Sequence, residues 1–131
     1  MMQTLNVSPE LENLMIITEF VEQALEVVEA PMKVITQMDV VIDEVFSNIA
    51  QYSQATQVIV ECDAKPHFVR LRFLDNGLPY DPTKKEDPDV TLKAEERQIG
   101  GLGIFLIRKL MDDIGYDYFD GFNGFTLTKR W

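Results

Sequence analysis

Three short clusters hold the side chains with chemistry to offer. Glu44 and Asn48 lie four residues apart in a run of helical periodicity, so they stand about 40° apart on a helical wheel and share a face. With Val34, Met38, Val45 and Ile49 centring the buried stripe, the pair falls on its flank. There a carboxylate and an amide can border a cleft, a seat for a general base beside a metal ligand. Taken alone, the pair also suits a solvated helix edge. Asp75, in Asp75-Asn76-Gly77, ends a strand with the parity of Val69, Leu71 and Phe73, so its carboxylate points to the face that packs on helices. An unpaired buried carboxylate is costly; Asp75 therefore calls for a ligand's amino group, backbone donors, or an Asx turn of its own. Gly100-Gly101-Leu102-Gly103 opens a helix. Missing Cβ atoms there let a phosphate approach N–H groups that have no partner within the helix. A hinge for the preceding loop is the alternative. No Gly-Lys-Ser/Thr follows and no GxGxxG succeeds a strand, so the two commonest nucleotide folds are not indicated.

These residues need elements to hold them. Ser8-Pro9-Glu10 reads as a helix start, followed by Leu11, Leu14, Ile17, Val21, Leu25 and Val28 at helical spacing up to a break at Pro31. A second helix runs through Val34, Met38, Val41, Ile42, Val45 and Ile49 and fades at Tyr52-Ser53. From Gln57 to Asp75 the period becomes two, with Val58, Val60 and Cys62 on one strand and Val69, Leu71 and Phe73 on the next, joined by a hairpin at Ala64-Lys65-Pro66-His67. Pro79 to Ile99 is a long charged loop, read as a lid. Leu102, Phe105, Leu106 and Leu110 then give a third helix from Gly101 to Asp113. Strands around Tyr116–Phe119 and Phe125–Lys129 flank a turn-rich Asp120–Gly124. Helices that precede and interrupt antiparallel strands predict an α+β two-layer sandwich.

At 131 residues, with 46% hydrophobic and 26% charged, the chain is expected to fold as one domain over 1–131. Its net charge of −10 opposes nucleic acid and anionic membranes but not a small nucleotide held by backbone N–H groups. Cys62 is the sole cysteine, so neither an intrachain disulfide nor a cysteine zinc cluster can form, and it reads as a small core residue. Residues 1–7 lack a basic start with an apolar run, and no run of about eighteen apolar residues occurs. No signal peptide or membrane span is expected, and the expected compartment is the cytosol. Phe105, Tyr116, Phe119 and Phe125 read as packing, and His67, the only histidine, sits in a turn.

In order and spacing, Glu44-Val-Phe-Ser-Asn48, Asp75-Asn-Gly77-Leu-Pro-Tyr-Asp81 and Gly100-Gly-Leu-Gly103 resemble the N box and two glycine boxes of the GHKL ATPase superfamily. The stretch from Gly100 to Asp112 is most similar to bacterial anti-sigma factor serine kinases, and the likeness runs from about Val41 to the C-terminus. The resemblance implies a Bergerat-type fold: a mixed, mostly antiparallel sheet covered on one face by helices. It implies ATP and magnesium as cofactors, with Asn48 on the metal and Glu44 as the base that activates a substrate serine. Asp75 would accept from the adenine amino group, beside Gly77. Gly101, Leu102 and Gly103 would meet the phosphates under a lid at about 82–99. The implied function is an ATP-dependent anti-sigma factor and protein-serine kinase acting on an anti-anti-sigma protein in partner switching, with a sigma factor as second partner and a homodimer formed through the first strand and helix. The boxes alone equally fit an ATP-binding switch without phosphotransfer, or a stand-alone ATP-binding subunit of a two-component kinase. Tyr52 stands where these kinases often carry histidine, and no lid contacts follow from the sequence of 82–98. Arg97 and Arg108 read as surface ion-pairing residues.

Overall fold

The computed structural model describes residues 2–84 and 101–131, and only the backbone of Gly101 and Leu102. Its order is β1 (Met2–Val7), α1 (Leu14–Val27), α2 (Met32–Tyr52), β2 (Val58–Lys65), β3 (Phe68–Asp75), α3 (Gly101–Leu110), β4 (Asp113–Phe119) and β5 (Phe122–Arg130), with 3-10 turns at Leu11–Asn13 and Pro82–Lys84. The strands form one sheet in the order β1-β2-β3-β5-β4. Among the described residues every neighbouring pair is antiparallel, so the α+β two-layer expectation holds, with an antiparallel sheet where a mixed, mostly antiparallel one was expected.

Strand alternation sends Val58, Val60, Cys62, Val69, Leu71, Phe73, Phe125 and Leu127 to one face, where they pack with Ile17, Val21 and Leu25 of α1, with α2, and with Ile104 and Ile107 of α3. Each fully buried apolar side chain contributes roughly 1.5–3 kcal/mol. With eight buried residues, from Val34 to Ile49, α2 contributes more of this core than α1 with four. On the opposite face Arg72 reaches Asp117 across β5 at 2.9 and 3.0 Å and lies over the Phe119 ring.

Several boundaries differ from the sequence reading for local reasons. Ser8 does not cap α1. Its carbonyl and hydroxyl instead accept the Asn13 side-chain amide at 3.0 and 2.9 Å, the intervening chain forms the first 3-10 turn, and Leu11 is left exposed. Glu29, at φ 58, turns the chain out of α1 ahead of Pro31. Pro66 and His67 alone make the β2–β3 turn, and the β4–β5 turn shrinks to Asp120-Gly121, so Asn123 is already paired opposite Asp75. In α3 the buried stripe is Gly103, Ile104 and Ile107, continuing to Met111, not the Phe105–Leu106 phase, whose side chains are half-buried. An almost continuously apolar helix does not fix its own rotation.

Candidate functional site

The consecutive residues Asp75, Asn76 and Gly77 tie three segments together where β3 ends. Asn76 binds the α2–β2 connection, its Oδ1 accepting from Thr56 N (2.8 Å) and Gln57 N (3.0 Å) and its Nδ2 donating to Thr56 Oγ1 (2.8 Å). At Gly77 the chain passes against the end of α2: a Cβ there would fall on the Ser53 carbonyl, which the Leu78 N–H meets at 2.8 Å. Only glycine permits that approach.

Asp75 is 6% exposed. Its Oδ1 accepts the Gly77 N–H at 2.9 Å and the Asn123 side-chain amide at 3.1 Å. Burial pushes its carboxyl above the usual range, and those two donors pull the other way. The Asx turn and the inward carboxylate, alternatives in the sequence, are therefore both present. Asn123 also donates to the Leu78 carbonyl at 3.0 Å, and its Oδ1 accepts from Tyr80 N at 3.0 Å and from the Tyr116 hydroxyl.

Above this floor lies a cavity of about 400 Å³. One wall is Val45, Asn48, Ile49 and Tyr52 of α2, the second is Ile104 and Ile107 of α3, and Leu78, Pro79, Tyr80 and Pro82 form the third. Asp75, Tyr116, Asn123 and Phe125 close the bottom. Such a mostly apolar pocket with a few convergent polar groups suits a small organic ligand. Tyr52 and Tyr80, 59% and 58% exposed, stand at its edge.

Asn48 and Asp75 thus line one cavity. Glu44 does not line it but lies one helical turn back, half-buried, against Gly103: a Cβ there would sit 2.6 Å from Glu44 Oε2 and 3.8 Å from Asn48 Nδ2. The backbone of Gly101 starts α3, and the side chain of Leu102 is outside the described residues. Of the expected lid, only Pro82–Lys84 is described, and Arg108 Nη2 donates to the Thr83 carbonyl at 2.6 Å; Arg97, Gly100 and the rest lie outside the described residues. Sequence reasoning missed Asn123 and the polar role of Tyr116. The signal was there in Asn123, which shares the parity of Phe125 and Leu127.

The donor set fits magnesium nucleotide. Among the described residues no group of three or more His, Cys, Asp or Glu could hold a metal alone. One amide at Asn48 suits a cation that takes its remaining ligands from phosphates and water.

With fold and cavity described, family membership follows: residues 7–131 match the histidine kinase-like ATPase domain, and the chain belongs to that family. Within it, the chain is similar to the serine/threonine-protein kinase BtrW of Bordetella bronchiseptica, 40% identical over 62 residues, which are 47% of this chain and 44% of that one. It is also 32% identical over 95 residues to the serine-protein kinase RsbW of Listeria monocytogenes, covering 66% of this chain and 60% of RsbW. The matched stretches thus span about half the length of these relatives. The fold is that of the RsbU and RsbW domains of Rv1364c from Mycobacterium tuberculosis, with a TM-score of 0.68 at 14% identity over 99% of this chain and 32% of the other. The Acinetobacter baumannii histidine kinase AdeS shares it at a TM-score of 0.57 and 12% identity, over 98% of this chain and 67% of AdeS.

Proposed function

We propose that the chain binds ATP with magnesium and acts as a protein-serine kinase and anti-sigma factor, phosphorylating an anti-anti-sigma protein in a partner-switching pathway. The observation that carries this reading is the convergence of Asn48 and Asp75 on one cavity, with Glu44 set against Gly103 at the start of α3. Similarity to BtrW and RsbW supports the kinase and the partner class.

In this reading Asp75 accepts from the adenine amino group, and Gly77 lets the loop close beneath the base. The N–H groups of Gly101, Leu102 and Gly103, at the positive end of α3, bind phosphate oxygens. Asn48 supplies an oxygen to magnesium, which neutralises charge on the phosphates when bound. Glu44 takes the proton from the serine hydroxyl as its oxygen bonds the γ-phosphorus and the bond to the departing ADP breaks, with positioning and electrostatics carrying most of the rate. The cytosol is the compartment in which these partners meet. A homodimer is supported by β1, an edge strand, and by exposed Leu11, Met15 and Ile16 beside it in sequence.

The test is transfer from γ-labelled ATP to serine-bearing proteins that co-purify with the chain. Glu44→Gln is expected to retain ATP affinity within about twofold and to lose transfer by about 10²-fold or more. Wild-type binding without labelling of any partner would replace the kinase with the ATP-binding switch. Absence of calorimetric heat with millimolar nucleotide and magnesium would remove every nucleotide reading.

A further inference from the structure

Asn123 is 5% exposed and uses both ends of its amide. The Tyr80 N–H can only donate, so the Asn123 atom 3.0 Å from it must be Oδ1. Nδ2 then faces the acceptors Asp75 Oδ1, Leu78 O and Gly77 O, at 3.1, 3.0 and 3.4 Å. The polarity of the network is fixed from the backbone inward. Asp75 Oδ1 receives two N–H groups and cannot hold a proton without losing one of them. Among the described residues Oδ2 has no hydrogen-bond partner. The Tyr116 hydroxyl gives its one proton to Asn123, so its oxygen can only accept from the cavity.

We propose that Asn123, oriented by Tyr80 and Tyr116, is the positioning residue for base selection: it occupies one oxygen of Asp75 and leaves the other to accept from an exocyclic amino group. The inference rests on the ATP reading and extends it to adenine over guanine. A floor of acceptors welcomes the amino group of adenine and repels the carbonyl oxygen that guanine carries at the same ring position.

The experiment compares magnesium-ATP and magnesium-GTP binding by calorimetry for the wild-type chain, Asn123→Leu and Tyr116→Phe, with Asp75→Asn as reference. The Asp75 carboxyl is also titrated by NMR in the nucleotide-free protein. Asn123→Leu is expected to lower the ATP-to-GTP affinity ratio by about tenfold, the scale of one hydrogen bond to a charged group. It should also move the Asp75 midpoint upward, because a donor that favours the carboxylate is gone. Tyr116→Phe should act in the same direction by about twofold to threefold, and it carries the test if Asn123→Leu does not fold. Equal losses of both nucleotides with an unmoved Asp75 midpoint would make Asn123 a loop staple only and overturn the proposal. If the wild-type chain binds neither nucleotide, the ATP reading falls and takes the base-selection claim with it. The Asp75 midpoint would still report whether Asn123 sets its ionisation.

Discussion

Gly103 shows how a missing side chain can hold a reactive one. The Cβ of an alanine there would press on Glu44 Oε2, the free end of a flexible side chain, so the carboxylate would move and the helices would stay. Gly103→Ala is therefore expected to leave thermal stability unchanged or raised by up to about 1 kcal/mol through helix propensity. Single-turnover phosphotransfer should fall by about tenfold, as a misplaced base costs rate rather than binding. Unaltered transfer would remove Glu44 from the reaction. At this scale the sequence was informative wherever parity is strict: Asp75 could be placed inward because strand alternation admits no intermediate. Asn123 escaped because Asp120 to Gly124 are mostly turn-forming types, and only the pairing with β3 and β4 shows that the last three belong to a strand.

Among the elements, the contact between α1 and α2 carries an electrostatic strain that the site does not use. Asp39 of α2 faces Glu22 of α1, and burial first, then Glu22, raises its carboxyl to about 7. Asp39 Oδ1 is buried without a hydrogen-bond donor among the described residues, because two carboxyl groups can bond only when one is protonated. In the unfolded chain Asp39 ionises near its ordinary value of 3.8. Below that value both states are protonated and folding bears no penalty. As pH climbs through the interval up to about 7, the unfolded state gives up its proton first and stability falls. Asp39→Asn should raise the melting temperature at pH 8 by about 3 °C, with the gain shrinking towards pH 4 in a thermal melt series. The same helices show what periodicity conveys. The buried stripe of α2 stood out because polar residues interrupt it, whereas the run from Gly103 to Ile107 has no polar member to mark its outer side.

For the molecule as a whole, the hairpins β2–β3 and β4–β5 were readable because their pairing is local. The central β3–β5 pairing was not, since nothing short-range distinguishes it from β3–β4, and β1 has too little alternation to announce an edge strand. Cys62 lies in the second strand of that sheet, beneath the helices and 1% exposed, and burial followed by the nearby Asp63 pushes its thiol up to about 11. As the only cysteine in the chain, it is a built-in clock. A thiol-modifying reagent at neutral pH should label it only through excursions that lift the helical layer, so the labelling rate would count those excursions directly. Saturating magnesium-ATP should slow that clock by the factor 1 + [L]/Kd if the ligand holds the helical layer to the sheet.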